Sequence, residues 1–226
     1  MNWTAFLGLA LFLCAGCVRA SGGEERPGGS KAPATPPASV LKVAEAAARE
    51  AFGYQEIPYD VTLGQIDLSN LPRKLKKHWA FAALGTFKLP PARCVVLVSE
   101  ARRGFTMPEG FGEVMVEEGL DPGTPRDFPA VIDLFAALLA NGRVVARAED
   151  IPWRRELGKD PAEYREKVFP PRLDASGTVK KGSFCTWTPA GGLLTGWEVQ
   201  FEPRGVVTIL KESRIDSRVG AFDVLQ

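Results

Sequence analysis

The stretch Thr195-Gly-Trp-Glu-Val-Gln-Phe201 puts Thr195, Trp197, Val199 and Phe201 at every second position, with Gly196, Glu198 and Gln200 between them. A period of two is the mark of a half-buried strand, because successive side chains leave opposite faces of the pleat. Glu202-Pro-Arg-Gly205 then supplies turn chemistry and Val206 to Lys211 returns, so the segment reads as a β-hairpin. Thr178 to Thr188 before it and Ile215 to Val224 after it extend the hairpin to a three- or four-stranded antiparallel meander.

Upstream of the meander the patterning turns helical. Val40, Leu41, Val43, Ala44 and Ala47 predict a helix over 40–52, with Ser39 as N-cap and Gly53 as terminator. A second helix is expected from Leu71 or Pro72 to Leu84, begun by Ser69 or Asn70 and stopped by Gly85. A third, almost wholly apolar apart from Asp133, spans Phe128 to Ala140 and ends at Asn141-Gly142; it is too short to cross a bilayer. Cys94 to Val98 reads as a buried strand, with Glu113–Glu117 and Val144–Ala148 as shorter ones. Early helices and late hairpins predict an α+β fold of about three helices on a mainly antiparallel sheet, closed by a C-terminal β-meander. With no internal repeat, residues 39–226 are expected to form one domain.

Composition narrows the function classes. The 226 residues are 45% hydrophobic and 24% charged, which excludes collagen-like, wholly disordered and multi-pass membrane classes. Lys and Arg number 28 against 27 Asp and Glu, so no overall field attracts nucleic acid, and none is expected as a partner. Residues 1–16 carry no charged side chain, and Trp3 to Gly16 form an apolar run shorter than a membrane span, as an export signal does. From Ser21 to Pro37 four glycines and four prolines appear without a large apolar side chain, the composition of a linker. At about 20 residues its root-mean-square reach is about 25 Å.

The segment Leu13-Cys14-Ala15-Gly16-Cys17 resembles the lipobox of bacterial lipoproteins. The resemblance covers the leader alone and implies a signal peptide over 1–16, diacylation of Cys17, and a lipidated N-terminus and linker over 17–38. The alternative is cleavage after Val18-Arg19-Ala20 by ordinary signal peptidase, which releases a soluble protein beginning at Ser21.

Chemistry-bearing residues are few. With Cys17 acylated and Cys14 removed, Cys94 and Cys185 remain as an even pair in an oxidising compartment. A disulfide between them closes about 90 residues and contributes about 4 kcal/mol in the chain-entropy model. The alternatives are two separate buried thiols and, furthest, a catalytic thiol. The chain holds a single histidine, His78, so neither a histidine-rich metal site nor a well-marked Ser-His-Asp triad is readable, and no metal or cofactor is expected. Gly177-Thr-Val-Lys-Lys-Gly-Ser183 lacks the lysine of a phosphate-binding loop. The acidic pairs Glu117-Glu118 and Glu149-Asp150 suit acid/base work but are commoner as surface neighbours. Arg73, Lys74, Lys76 and Lys77 fall in the first turns of the expected second helix, where the macrodipole disfavours cations; they read either as an anion or membrane-surface patch or as a solvated face.

With what the leader's resemblance implies, these features lead us to expect a lipid-anchored protein of the bacterial cell envelope that acts by binding or assembly, held to the membrane by its acyl chains, with an envelope protein as the expected partner. A secreted or anchored hydrolase working through carboxylates is the alternative from a different class. An exported toxin or its antagonist is a third.

Overall fold

The computed structural model describes residues 35–53, 59–68, 71, 75–86, 92–153, 159–202 and 207–221. The expected signal peptide, Cys17 and all of the linker before Thr35 lie outside the described residues, as do Arg73, Lys74 and the turn at Pro203–Gly205.

The chain is an α+β protein with two antiparallel sheets where one was expected. Helix α1 (Ala38–Phe52) has Pro37 at its N-cap, two residues ahead of the expected Ser39, and stops where Gly53 takes the left-handed φ of 70°. The first sheet runs in the order β1 (Val61–Gln65), β2 (His78–Gly85), β3 (Ala92–Ser99) and β4 (Gly104–Thr106). Then come α2 (Phe111–Glu117), α3 (Phe128–Leu139) and β5 (Arg143–Val145). After the 3-10 turns Ala148–Asp150 and Pro161–Tyr164 follow β6 (Arg172–Asp174), β7 (Lys180–Thr188), β8 (Leu193–Phe201) and β9 (Val207–Asp216). The second sheet is ordered β5-β7-β8-β9, with β6 also paired to β7.

The expected second helix is a strand. His78 to Gly85 form β2 between β1 and β3, with His78 opposite Ser99 and Gly85 opposite Ala92. Trp79, Phe81 and Ala83 face Val40, Ala44 and Ala48 of α1, while Ala80 joins the cluster containing α2 and α3. Both faces are covered, so apolar residues occupy successive positions and no period of two survives to distinguish the strand from an Ala-rich helix.

The expected strand at Glu113–Glu117 is the opposite case and is helix α2. Phe111, Val114 and Met115 are buried at helical spacing, whereas Val116, on the same strand face as Val114 would be, is 57% exposed. The expected Val144–Ala148 strand shortens to β5, and Ala148 opens a 3-10 turn. Of the last expected strand, Ile215 to Val224, Ile215 and Asp216 belong to β9, residues 217–221 form no strand, and residues 222–224 lie outside the described residues. The meander of β7, β8 and β9 is otherwise as the alternation predicted, and α3 occupies its expected place.

One apolar cluster draws on both sheets and on the two helices between them. Phe135 of α3 meets Phe111, Phe184 and Trp197 edge-on at 5.9, 5.4 and 5.2 Å. The far side of the second sheet is closed by Ile151, Tyr164 and Val168, packed on Cys185, Trp187 and Leu194. There the Trp187 indole N–H donates to the Val219 carbonyl at 2.8 Å. No helix among the described residues is long and apolar enough to cross a membrane.

Candidate functional site

The sole histidine opens β2 on the face directed at α2, and its ring is buried, the side chain 0% exposed. Both ring nitrogens meet carboxylates from the end of α2: Nδ1 lies 2.7 Å from Oε1 of Glu118 and Nε2 lies 3.0 Å from Oε2 of Glu117. An ionised carboxylate only accepts, so a ring nitrogen that bonds to one carries a proton, and both contacts are made together only by an imidazolium between two carboxylates.

The surrounding groups favour that charge distribution. Glu118, its side chain 3% exposed, also accepts from the backbone amides of Lys76 at 2.9 Å and Lys77 at 2.8 Å. Burial pushes its carboxyl up, but the hydrogen bond from His78, the two amides and the histidine's charge outweigh burial and hold it below the usual range. Glu117 is shared: its Oε1 accepts from Arg103 at 2.8 Å, and the same guanidinium donates to Glu113 at 3.1 Å. Arg103 also stacks on Phe105, 4.9 Å from the ring centre.

Of the expected basic patch, Lys76 and Lys77 are described, and both are exposed. They precede a strand, so the reasoning that placed them against a helix macrodipole is corrected. Lys77 instead donates from Nζ to the Glu117 carbonyl at 2.7 Å, a cation at the C-terminal end of α2, where the dipole favours it. Lys76 and Lys77 contribute their backbone amides to the cluster whatever their side chains touch.

Cys94 and Cys185 are free thiols in this structure. Cys94 lies in β3 of the first sheet among the residues packed on α1, and Cys185 lies in β7 of the second sheet beside Trp187. Burial pushes the Cys94 thiol up to about 11 and raises Cys185 as well, which suits packed apolar groups and opposes nucleophilic ones. The other acidic pair is held in place by local bonds: Asp150 accepts from the amides of Ala146 and Arg147, and Glu149 pairs with Arg165. The carboxyls that burial raises, Asp133 in α3 and Glu212 in β9, take no part in the bonds around His78. Among the described residues no group of three or more His, Cys, Asp or Glu side chains is placed to hold a metal ion.

Sequence reasoning named His78 and the Glu117-Glu118 pair separately, and it missed Arg103 and Glu113 altogether. The histidine is 39 and 40 residues from its two partners, so no local spacing announces the contact. Comparison with family models, curated proteins and solved structures finds no match to this chain.

Proposed function

We propose that this chain is an exported protein of the bacterial cell envelope, anchored through acyl chains on Cys17, and that it acts by binding or assembly. The leader motif and the Gly/Pro-rich segment after it support the anchor, since a linker reaching about 25 Å holds a folded domain clear of lipid headgroups. The observation that favours binding over catalysis is His78, whose two ring nitrogens are both occupied and whose side chain is closed to solvent. A general base needs a free nitrogen within reach of a substrate proton, and this ring offers none. The carboxylate-hydrolase alternative requires one desolvated carboxyl raised beside a second. Glu118, the buried member of the adjacent pair, is instead lowered by its donors.

The experiment is expression of the full chain in a bacterial host, with the mature N-terminus and mass measured for wild type and Cys17→Ser. Acylation at residue 17 that disappears in the variant supports the anchor. A free N-terminus at Ser21 overturns it and leaves a soluble exported protein.

A further inference from the structure

We propose that His78, Glu117 and Glu118 form a proton-operated clasp that helps fasten the end of α2 to the start of β2 and weakens that junction when the ring loses its second proton. The ring is closed to water, and its nitrogens sit 2.7 and 3.0 Å from carboxylate oxygens. Removing one proton therefore sets a nitrogen lone pair that water does not reach against a carboxylate oxygen, either of the buried Glu118 or of Glu117, which is 27% exposed and also bonded to Arg103.

The charged groups facing the ring do not supply the missing proton. Arg103 is engaged by Glu117 and Glu113, and Lys77 Nζ by the Glu117 carbonyl. On the β3 side, the Ser99 hydroxyl oxygen accepts from the Arg103 amide, and the Glu100 amide is bonded to the Lys77 carbonyl. From β4 the Phe105 ring lies 5.8 Å from the imidazole, centre to centre. Apart from the ring, the end of α2 is held by the Lys76 and Lys77 amides on Glu118, by Lys77 Nζ on the Glu117 carbonyl, by Arg103 on Glu117 and by the buried Leu120, and its beginning and middle by Phe111, Val114 and Met115. Deprotonation thus weakens the Glu117–Leu120 end, where the ring's contacts lie, without undoing the bonds that Lys76, Lys77 and Arg103 make there. The inference concerns the folded domain and is independent of the Cys17 anchor.

The test uses the untagged full chain, in which His78 is the only histidine, so nitrogen-15 labelling of histidine yields one ring to follow from pH 5 to 10 by NMR. Amide exchange of residues 111–120 is measured alongside, relative to that of α3. The clasp is supported if both ring nitrogens carry protons at neutral pH and if loss of one coincides with a relative rise in exchange of about tenfold at the end of α2. Glu117→Gln keeps an acceptor without its charge and is expected to move that step down by about one pH unit. His78→Gln is expected to abolish it, and the Glu117→Gln shift carries the test if His78→Gln does not fold. A ring with a single proton at neutral pH, an exchange profile that does not follow the ring, or a step unmoved in Glu117→Gln overturns the proposal.

Discussion

The Tyr164 hydroxyl donates to Oδ2 of Asp216 at 2.6 Å across 52 residues of sequence, and Lys159 Nζ donates to the same oxygen at 2.9 Å. The Ser217 amide takes Oδ1 at 2.7 Å. The tyrosine's bond outweighs burial and, with Lys159 and the amide, holds the Asp216 carboxyl at about 2, while burial and then Asp216 push the tyrosine up. This cluster ties the end of β9 to the 3-10 turn at Pro161–Tyr164.

Because the folded pKa of Asp216 is depressed, its contribution is fully present above the unfolded value of about 3.9 and is lost as pH falls toward about 2. The carboxylate is a third exposed, so solvent screening keeps the expected cost of Asp216→Asn to about 1 kcal/mol at pH 7. Urea unfolding at pH 7 and pH 2 is expected to show the wild-type and variant proteins converging at the lower pH.

Glu118→Gln leaves the buried His78 ring and two backbone amides facing a neutral group in place of a carboxylate, and is expected to destabilise by about 3 kcal/mol at pH 7. The sign follows from the lowered carboxyl: the stabilisation is present above the unfolded value of about 4.3 and fades as acid protonates Glu118 in the wild type too. Chemical denaturation from pH 7 to pH 3 measures whether the difference narrows.

Gly182 of β7 lies beneath the edge-on pair Phe128 and Phe201, whose ring centres are 6.0 Å apart. A Cβ there would stand 2.7 Å from Cε2 of Phe128 and 3.0 Å from Cε2 of Phe201. Buried rings in contact with one another have little room to retreat, so Gly182→Ala is expected to cost about 1–3 kcal/mol, read as a lowered thermal midpoint.

Phe135→Ala removes the ring that three other aromatic side chains touch and leaves a cavity between the sheets. The expected loss is about 3–5 kcal/mol, measured by denaturant unfolding with unchanged slope.

Cys94 and Cys185 are expected to react with an aromatic disulfide reagent slowly in the folded protein and fully once it is denatured without reductant. A denatured, unreduced chain in which neither thiol reacts would show instead that they pair on export.

Elements whose two sides differ were legible in the sequence. The hairpin of β8 and β9 announces itself because Trp197, Val199 and Phe201 enter the inter-sheet core while Glu198 and Gln200 do not. Helix α3 was recoverable from composition and its Asn141-Gly142 stop, with Asn141 taking a φ of 45°. Segment 78–85 was not: once both faces are buried, Trp79-Ala-Phe-Ala-Ala-Leu84 is as compatible with a helix as with a strand, and pairing with β3 decides. Segment 113–117 failed in the other direction, since three successive apolar residues, Val114, Met115 and Val116, fit a short buried strand as well as a helix, while Phe111, just outside it, completes the helical face.

The sequence by itself determined the α+β class, the antiparallel meander, α1 with its glycine stop, and the paucity of catalytic side chains, because each rests on local periodicity, turn chemistry or counting. Only the tertiary structure decided that the lone histidine is a buried ion-pair partner. A chain of 40 residues separates His78 from Glu118, and their meeting depends on β2 entering the first sheet and α2 packing across its face. Both events follow from long-range burial of apolar surface, which no short window of sequence contains.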